Sequence, residues 1–449
     1  MNGTQRNEIR IRASDPLGLD DAALLAAIKL SLENLKAYSR NPKADLKKVL
    51  LIPPDLTRMH SGAGKITALY YELLKDTCQV DIMPALGTHD PMSERECRDF
   101  FGEGVPFERI LVHNWRIGVV KIGEVPEEFV ARISDGLVRK KIDVEINRRL
   151  LDESYDLMIS IGQVVPHEVA GMANYTKNIL VGCGGSGMIN ESHMLGAFYG
   201  MERIMGKDHS PVRKVFDYAE THFLKDLPLT YVLTVTTCEA GSLAIHGLFM
   251  GRKRSLFEEA VALSQEKNMT HMENPFRKVV VYLDEREFKS TWIGNKAIYR
   301  TRMAICDGGE LIVLAPGVSK FGEDARNDEL IRKYGYVGRE KVLALCEENQ
   351  DLRSNLSVAA HLIHGSSDNR FSITYAVAKL SEKEVTGVNY RYQALAEAYE
   401  RYDPAKLKEG YNLLADGEEV FFISNPALGL WSCIDRAIRE EWDEPRGTT

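Results

Sequence analysis

Short apolar runs recur along the first half of the chain, each bounded by turn residues: KVLLIPP (48–54), VDIMPALG (80–87), ERILVHN (108–114) and YDLMISIGQV (155–164). Runs of this length, rich in branched side chains, predict buried strands. Helical periodicity fills the intervals at 65–77 and 93–101, and AALLAAIKLSL (22–32) predicts an amphipathic helix too short and too charged at Lys29 to span a membrane. A second series begins near 278. KVVVYL (278–283) and GELIVLAP (309–316) predict strands, with helices around 295–306, 323–334 and 339–348 and a late strand at EEVFFISN (418–425).

Strands alternating with helices imply βαβ units and a largely parallel sheet. The expected architecture is therefore α/β with two domains. The first covers 1–275 and is completed by 425–449; the second, smaller α/β domain covers 278–424 and closes a cleft that holds the active site. The polar stretch SQEKNMTHMENPFRK (264–278) marks the boundary. In sheets of this kind ligands bind in the loops that follow the strands, so those loops are where chemistry is sought.

Composition narrows the function classes. The 449 residues carry a formal net charge of -8, and no basic run appears, which argues against a nucleic-acid partner. The seven cysteines are widely spaced, odd in number and lack any CxxC pair, the usage of a reducing compartment. The polar start MNGTQRNEIRIR has no signal-peptide core, so the expected location is cytoplasmic, with no membrane partner.

Three strand-end loops carry polar groups. DLTRMHSGAGK (55–65) offers Asp55, Thr57 and Arg58, a set suited to an anion or polyol, although Thr57 or Ser61 could equally cap a helix. ALGTHDPMSERE (85–96) contains a capping box, Ser93 with Glu96, which accounts for the serine but not for His89 in the loop before it. PHEVAGMANYTKNILVGCGGSGMINESH (166–193) holds His167, Lys177, Gly184, Gly185 and His193. A phosphate-clamp lysine directly follows the last glycine of its loop, whereas Lys177 precedes the glycines; neither does the spacing match a dinucleotide fingerprint. His89, His113, His167 and His193 could converge on a metal, yet none is paired at i, i+4 as zinc motifs require. In the second half, Trp292, Lys296 and Arg300 fall at steps of four, the pattern of one helix face, and read most simply as a solvated basic face. His361 and His364 are spaced to meet at a helix end.

Taken together these segments resemble the nickel-pincer lactate racemase family. The resemblance rests on Asp55-x-Thr57-Arg58, Gly87-Thr88-His89-x-Pro91-Met92, Pro166-His167-x-x-Ala170-Gly171, Lys177 followed by ILVGCGG, His193, and Trp292-x-Gly294-x-Lys296-Ala297. It implies nickel held in a pyridinium thioamide/thiocarboxylate mononucleotide covalently attached to Lys177, with His193 as the protein ligand of the metal, a geometry that nickel favours. Asp55, Thr57, Gly184 and Gly185 would bind the cofactor. Arg58, Lys296 and Trp292 would bind substrate. His89 and His167 would be the two acid–base groups, one for each enantiomer of a 2-hydroxy acid whose carbinol hydrogen leaves as hydride. Cofactor-maturation enzymes are the implied protein partners. Met59-His60 stands where the family often has a proline, Asn174-Tyr175-Thr176 where it has small residues, and Trp292-Ile293 where lactate enzymes have tyrosine and glutamine. These changes point to a larger polyhydroxy acid, such as an aldonate, and to C2 epimerisation or racemisation. Two other classes fit the bare residues: a zinc-dependent hydrolase or lyase using the histidines, and a non-catalytic sugar-acid-binding protein.

Overall fold

The computed structural model describes residues 7–239, 242–427 and 429–433. The chain is a mixed α/β protein that divides into two compact units, 1–195 with 205–268 and 196–204 with 269–449.

The first unit is built on a six-stranded sheet with the spatial order Ile9–Arg12, Ser242–Gly251, Leu229–Glu239, Leu157–Gln163, Lys48–Ile52, Gln79–Ile82. The last four of these run parallel to one another, and Ser242–Gly251 runs antiparallel to both of its neighbours, Leu229–Glu239 and Ile9–Arg12. Side chains alternate between the faces of a strand. Val49 and Leu51 accordingly join a core with Ile66, Tyr70 and Ile159, while Leu50 and Ile52 join a second core with Met158, Ile179 and Phe216. Burial on both faces is why KVLLI reads as an unbroken apolar run.

The chain runs from Lys48–Ile52 outward to Gln79–Ile82, then returns to Leu157–Gln163 on the other side of the first strand and continues to Leu229–Glu239. The order therefore reverses between Lys48–Ile52 and Leu157–Gln163. A crevice opens at such a reversal, beyond the carboxyl ends of the two strands, and this is where open α/β sheets bind ligands.

The predicted helices at 22–32, 65–77 and 93–101 are present as Asp21–Leu35, Ala63–Leu74 and Glu94–Phe101; the last is opened by Ser93 with both bonds of its capping box formed. The predicted strand at 108–114 is absent. Phe107–Arg109 is a turn of 3-10 helix, and only Ile110 bridges to the sheet, at Ile82. The antiparallel hairpin strands between 229 and 251 went unpredicted.

The second unit has its own six-stranded sheet, in the order Arg391–Ala394, Ser372–Val377, Ile305–Ala315, Phe276–Tyr282, Glu419–Ile423, Gly410–Leu413, parallel except for the last strand. Val280, Ile312, Leu314 and Phe422 pack one face. Leu430–Cys433 pairs in parallel with Met269–Met272 of this same unit. Residues 434–449, assigned from sequence to a return to the first domain, lie outside the described residues.

The predicted helix at 295–306 is instead two short turns, Thr291–Gly294 and Lys296–Tyr299, followed by the strand from Ile305. Nor is its basic face solvated. Arg300 is only 1% exposed and donates to the carbonyls of Ala427 and Gly429, and Lys296 is 7% exposed beside Glu287. Asn295, between the two turns, accepts hydrogen bonds from the Tyr375 and Tyr390 hydroxyls, which draws this segment into the interior.

Candidate active site

Three loops that follow parallel strands of the first unit carry the polar residues singled out from sequence. After Lys48–Ile52, Asp55 caps the 3-10 turn Leu56–Ser61. Its carboxylate accepts the Thr57 backbone N–H at 3.1 Å and the Thr57 hydroxyl at 2.5 Å. Arg58 departs from helical geometry inside that turn, with φ -114° and ψ 37°. Ser61 is fully buried and its hydroxyl oxygen accepts the Ala63 N–H; the N-cap expected at Ser61 or Thr57 is instead Gly62 for the helix Ala63–Leu74 and Asp55 for the 3-10 turn.

After Gln79–Ile82 the chain reaches His89, whose Nδ1 lies 2.5 Å from the other Asp55 oxygen. Burial alone would raise the Asp55 carboxyl. The charge and hydrogen bond of His89, the Thr57 hydroxyl and the charge of Arg58 overcome that and hold it below the usual carboxylate range. With Nδ1–H directed at an ionised carboxylate, His89 would take up a proton at Nε2. The loop before His89 is tied to the glycine-rich turn by the Gly87 N–H, which donates to the Gly182 carbonyl at 2.8 Å.

After Leu157–Gln163, His167 is 4% exposed. Its Nδ1 accepts the backbone N–H of Val169 at 3.1 Å and, more weakly, that of Ala170 at 3.4 Å, and the Glu168 carboxylate stands 3.6 Å away. Those backbone donors fix the neutral tautomer with its hydrogen on Nε2, the opposite of the tautomer at His89. The Glu168 carboxylate is the nearby acceptor for an Nδ1–H when the ring is protonated.

Lys177 lies in the first turn of the short helix Thr176–Leu180. The next residue anchors that helix at the topological reversal: the Asn178 amide donates to the Ile52 carbonyl at 3.1 Å and to the Ser160 hydroxyl at 2.9 Å, bridging the two diverging strands. Desolvation, reinforced by the positive charges of Arg58 and Arg213 and opposed by Glu168 and Asp55, pulls the Lys177 amine down to about 8. Arg213, fully buried, donates to the Thr176 hydroxyl and to the Met172 and Asn174 carbonyls, so it clamps the segment leading into the lysine. Asn174 and Tyr175 in that segment both have positive φ, 64° and 56°.

The turn holding Gly184 and Gly185 connects the Lys177 helix to the helix Ser186–Tyr199. Its glycines are filled by the chain itself. A Cβ on Gly184 would lie 1.8 Å from the Leu180 carbonyl oxygen, and one on Gly185 would lie 2.5 Å from the Glu145 carboxylate. Glu145 also accepts the Gly187 N–H at 2.7 Å, so a carboxylate of this chain already meets the start of the helix. His113 is structural. It is held neutral by burial, its pKa pulled down to about 4, and bridges the Gly184 carbonyl and the Asn147 amide.

On the same helix, the Nδ1–H of His193 donates to the Ile189 carbonyl at 2.6 Å. Desolvation and the nearby charge of Lys177 push its pKa down to about 4. The imidazole is therefore neutral at ordinary pH with Nε2 unspent, the state in which histidine binds metals. Among the described residues no group of three or more His, Cys, Asp or Glu converges on a point that could hold a metal ion by itself.

Trp292 and Lys296 belong to the second unit. Trp292 stacks on His361 with ring centroids 4.4 Å apart, and the Lys296 amine lies 3.5 Å from Glu287 and over the Phe288 ring. Three residues that shape the site went unnoticed in the sequence: Asn178, Glu168 and Arg213. The first two adjoin residues already marked, but Arg213 lies 36 positions beyond Lys177 with no local signal.

Among the described residues no helix is long and apolar enough to cross a membrane. No curated protein matches the chain. Among solved structures the fold is similar to that of a protein from Thermotoga maritima, at 20% identity and a TM-score of 0.78, covering 94% of this chain and all of the other. It is also similar to the lactate racemase apoprotein from Thermoanaerobacterium thermosaccharolyticum, at 18% identity and a TM-score of 0.67, covering 91% and 92%. Residues 20–205, which include Asp55, His89, His167, Lys177 and His193, match the lactate racemase N-terminal domain model.

Proposed function

We propose that this chain is a racemase or C2 epimerase of 2-hydroxy acids that works with a nickel-pincer nucleotide tethered to Lys177. The observation that carries the reading is the placement of Lys177 at the strand reversal, next to the Asn178 amide that bridges Ile52 and Ser160, with His193 on the following helix spending its Nδ1–H on the Ile189 carbonyl; burial lowers the pKa of both side chains, that of Lys177 to about 8. An amine with that pKa is nucleophilic near neutrality, as attachment to an activated acyl or thioacyl carbon requires. A lone neutral histidine suits a metal whose other donors come from a cofactor. Gly184 and Gly185 form the turn that sets the spacing between tether and ligand, and Asp55 and Thr57 brace the neighbouring loop.

When bound, the cofactor supplies a reversible acceptor for the hydride of the carbinol carbon. The protein's part is proton transfer and orientation. His89, steadied by Asp55, takes the hydroxyl proton of one enantiomer at Nε2, and Asp55 stabilises the imidazolium that results. His167 serves the other hand in its alternative tautomer, in which Glu168 accepts the Nδ1–H and Nε2 takes the hydroxyl proton. Arg58 supplies a guanidinium for the substrate carboxylate, and Lys296 and Trp292 are proposed as further substrate-binding residues. The polar side chains His60 and Asn174 favour a polyhydroxy acid over lactate.

The test is intact-mass analysis of protein made alongside cofactor-maturation enzymes, followed by a panel of lactate and aldonates. An adduct on wild type that is missing from Lys177→Ala, with inversion of at least one acid, is expected. Inversion by protein carrying no adduct, or bound zinc with activity indifferent to Lys177, would overturn the reading.

A further inference from the structure

The second unit contains a groove of about 760 Å³ that none of the residues discussed above as catalytic or cofactor-binding lines. It lies at the amino ends of the parallel strands Ser372–Val377 and Arg391–Ala394, beside Glu310 in the middle of the strand Ile305–Ala315, and is lined on one side by Lys341 of the helix Arg339–Glu348. Trp292 and Lys296 are associated with the other end of this sheet: Gly294, between them, packs on Leu283, the residue after the strand Phe276–Tyr282. The groove is thus distinct from the substrate position proposed above.

Its charge is positive. Lys341, Arg370 and Arg391 line it against a single acid, Glu310, which pairs with Lys278 at 2.9 Å, a lysine shared with Glu418. Arg370 is engaged with Asp307 and with the carbonyls of Arg302 and Ile305. Lys341 and Arg391 are exposed and have no ion-pair partner among the described residues. The rest of the lining is rich in neutral donors, including Ser366 and Ser367. Two of its asparagines, Asn369 and Asn389, adopt the left-handed conformation, φ 61° and 67°, that asparagine accepts in turns. Cations that lack partners, hydroxyl and amide donors and this volume together suit a small phosphate ester with a polyhydroxylated body.

The floor of the groove leads inward. Tyr336 and Tyr390 line it, stacked 4.4 Å apart. The Tyr336 hydroxyl meets His361 Nε2 at 2.9 Å and the Thr291 hydroxyl at 2.8 Å, and the Tyr390 hydroxyl donates to Asn295 and to the Gly365 carbonyl. His361 stacks on Trp292, and Asn295 immediately precedes Lys296. We infer that this groove is a binding site for a phosphorylated sugar-sized metabolite, whose occupancy is transmitted through Tyr336, Tyr390 and His361 to Trp292 and Lys296. Binding stands on the groove alone; only its consequence for activity rests on the proposed role of Trp292 and Lys296.

The experiment uses the full-length protein without cofactor, so it is independent of racemase activity. Glucose 6-phosphate, inorganic phosphate and citrate are titrated by calorimetry and by tryptophan fluorescence. Saturable binding of glucose 6-phosphate, at least tenfold tighter than that of phosphate or citrate, is expected, with at least a tenfold loss in the Lys341→Ala/Arg391→Ala double variant and retention in Lys341→Arg. The accompanying fluorescence change should vanish in Trp292→Phe. Undetectable binding, equal binding of citrate, or undiminished affinity in the double variant would overturn the site. A fluorescence change that survives in Trp292→Phe would overturn the transmission.

Discussion

The Nδ1 atom of His89 lies 2.5 Å from Oδ2 of Asp55, across 34 residues of sequence and between the loops of two adjacent parallel strands. Asp55 is the anionic partner that selects one tautomer of His89. Asp55→Asn keeps the shape and removes the charge, so the imidazolium loses its stabilising neighbour and the tautomer is no longer imposed. A loss of about 10²–10³ in kcat/KM is expected, within the range that acid–base groups contribute. Removing a carboxylate also lowers the pKa of the facing imidazole, so the acid limb of the pH profile should move to lower pH. An unchanged profile in Asp55→Asn would separate this aspartate from catalysis.

The strand-end loops with their catalytic candidates were legible in the sequence because buried parallel strands print as unbroken apolar runs and the polar residues follow at once. The pairing of Asp55 with His89 was not, since it depends on which strands become neighbours. Lys296 and Arg300 were misread as a solvated face for a related reason. Their period was right, but the acceptors that bury them, Glu287 and the carbonyls of Ala427 and Gly429, are supplied by distant segments. Gly184 and Gly185 were marked from the sequence as cofactor-binding. That the approaching atoms are the Leu180 carbonyl and the Glu145 carboxylate, both within the chain, could not be read from spacing.

Lys177 makes stability depend on pH in a definite direction. Its pKa falls from 10.5 to about 8 on folding, so between those values the unfolded chain binds more protons than the folded one. Stability contributed by this group therefore rises with pH from about 8 to about 10.5 and is flat below that window. Lys177→Met removes the dependence. The melting temperature of the variant minus that of wild type should be most positive at pH 7 and should shrink by pH 10. A difference that is constant across this range would mean that the amine titrates normally.

The two glycines of the turn before the His193 helix should tolerate alanine unequally. At Gly184 the new methyl meets the Leu180 carbonyl oxygen at 1.8 Å, a backbone atom of the preceding helix, and relief requires moving the helix that carries Lys177. At Gly185 it meets the Glu145 carboxylate at 2.5 Å, which can swing away at the loss of its bond to the Gly187 N–H, and the Glu145 Cβ at 2.9 Å, which needs only a small shift of the backbone. Gly185→Ala should cost about 1–3 kcal/mol, the loss of one charged hydrogen bond. Gly184→Ala should cost more and should also lower soluble yield. Denaturant titration of both variants checks the order, and the reverse order would refute this account of the turn.

Tyr175 poses a contest between strain and burial just ahead of Lys177. With φ 56° and ψ -133°, its backbone is one that glycine adopts readily and tyrosine does not. Glycine here would recover about 1–3 kcal/mol of strain. Against that, the ring is 3% exposed, lies 4.4 Å from the Tyr231 ring and 5.2 Å from that of Phe257, and sends its hydroxyl to the Arg252 carbonyl at 2.8 Å. Deleting a buried aromatic costs about 3–5 kcal/mol, so packing outweighs strain and Tyr175→Gly should be destabilised by about 2 kcal/mol. Tyr175→Phe keeps the ring and the strain and leaves the Arg252 carbonyl without its donor, a loss of about 1 kcal/mol. Urea denaturation should therefore rank wild type above Tyr175→Phe and Tyr175→Phe above Tyr175→Gly. If Tyr175→Gly proved the most stable of the three, backbone strain would outweigh ring packing, and the aromatic cluster would not be what holds the entry to the Lys177 helix in place.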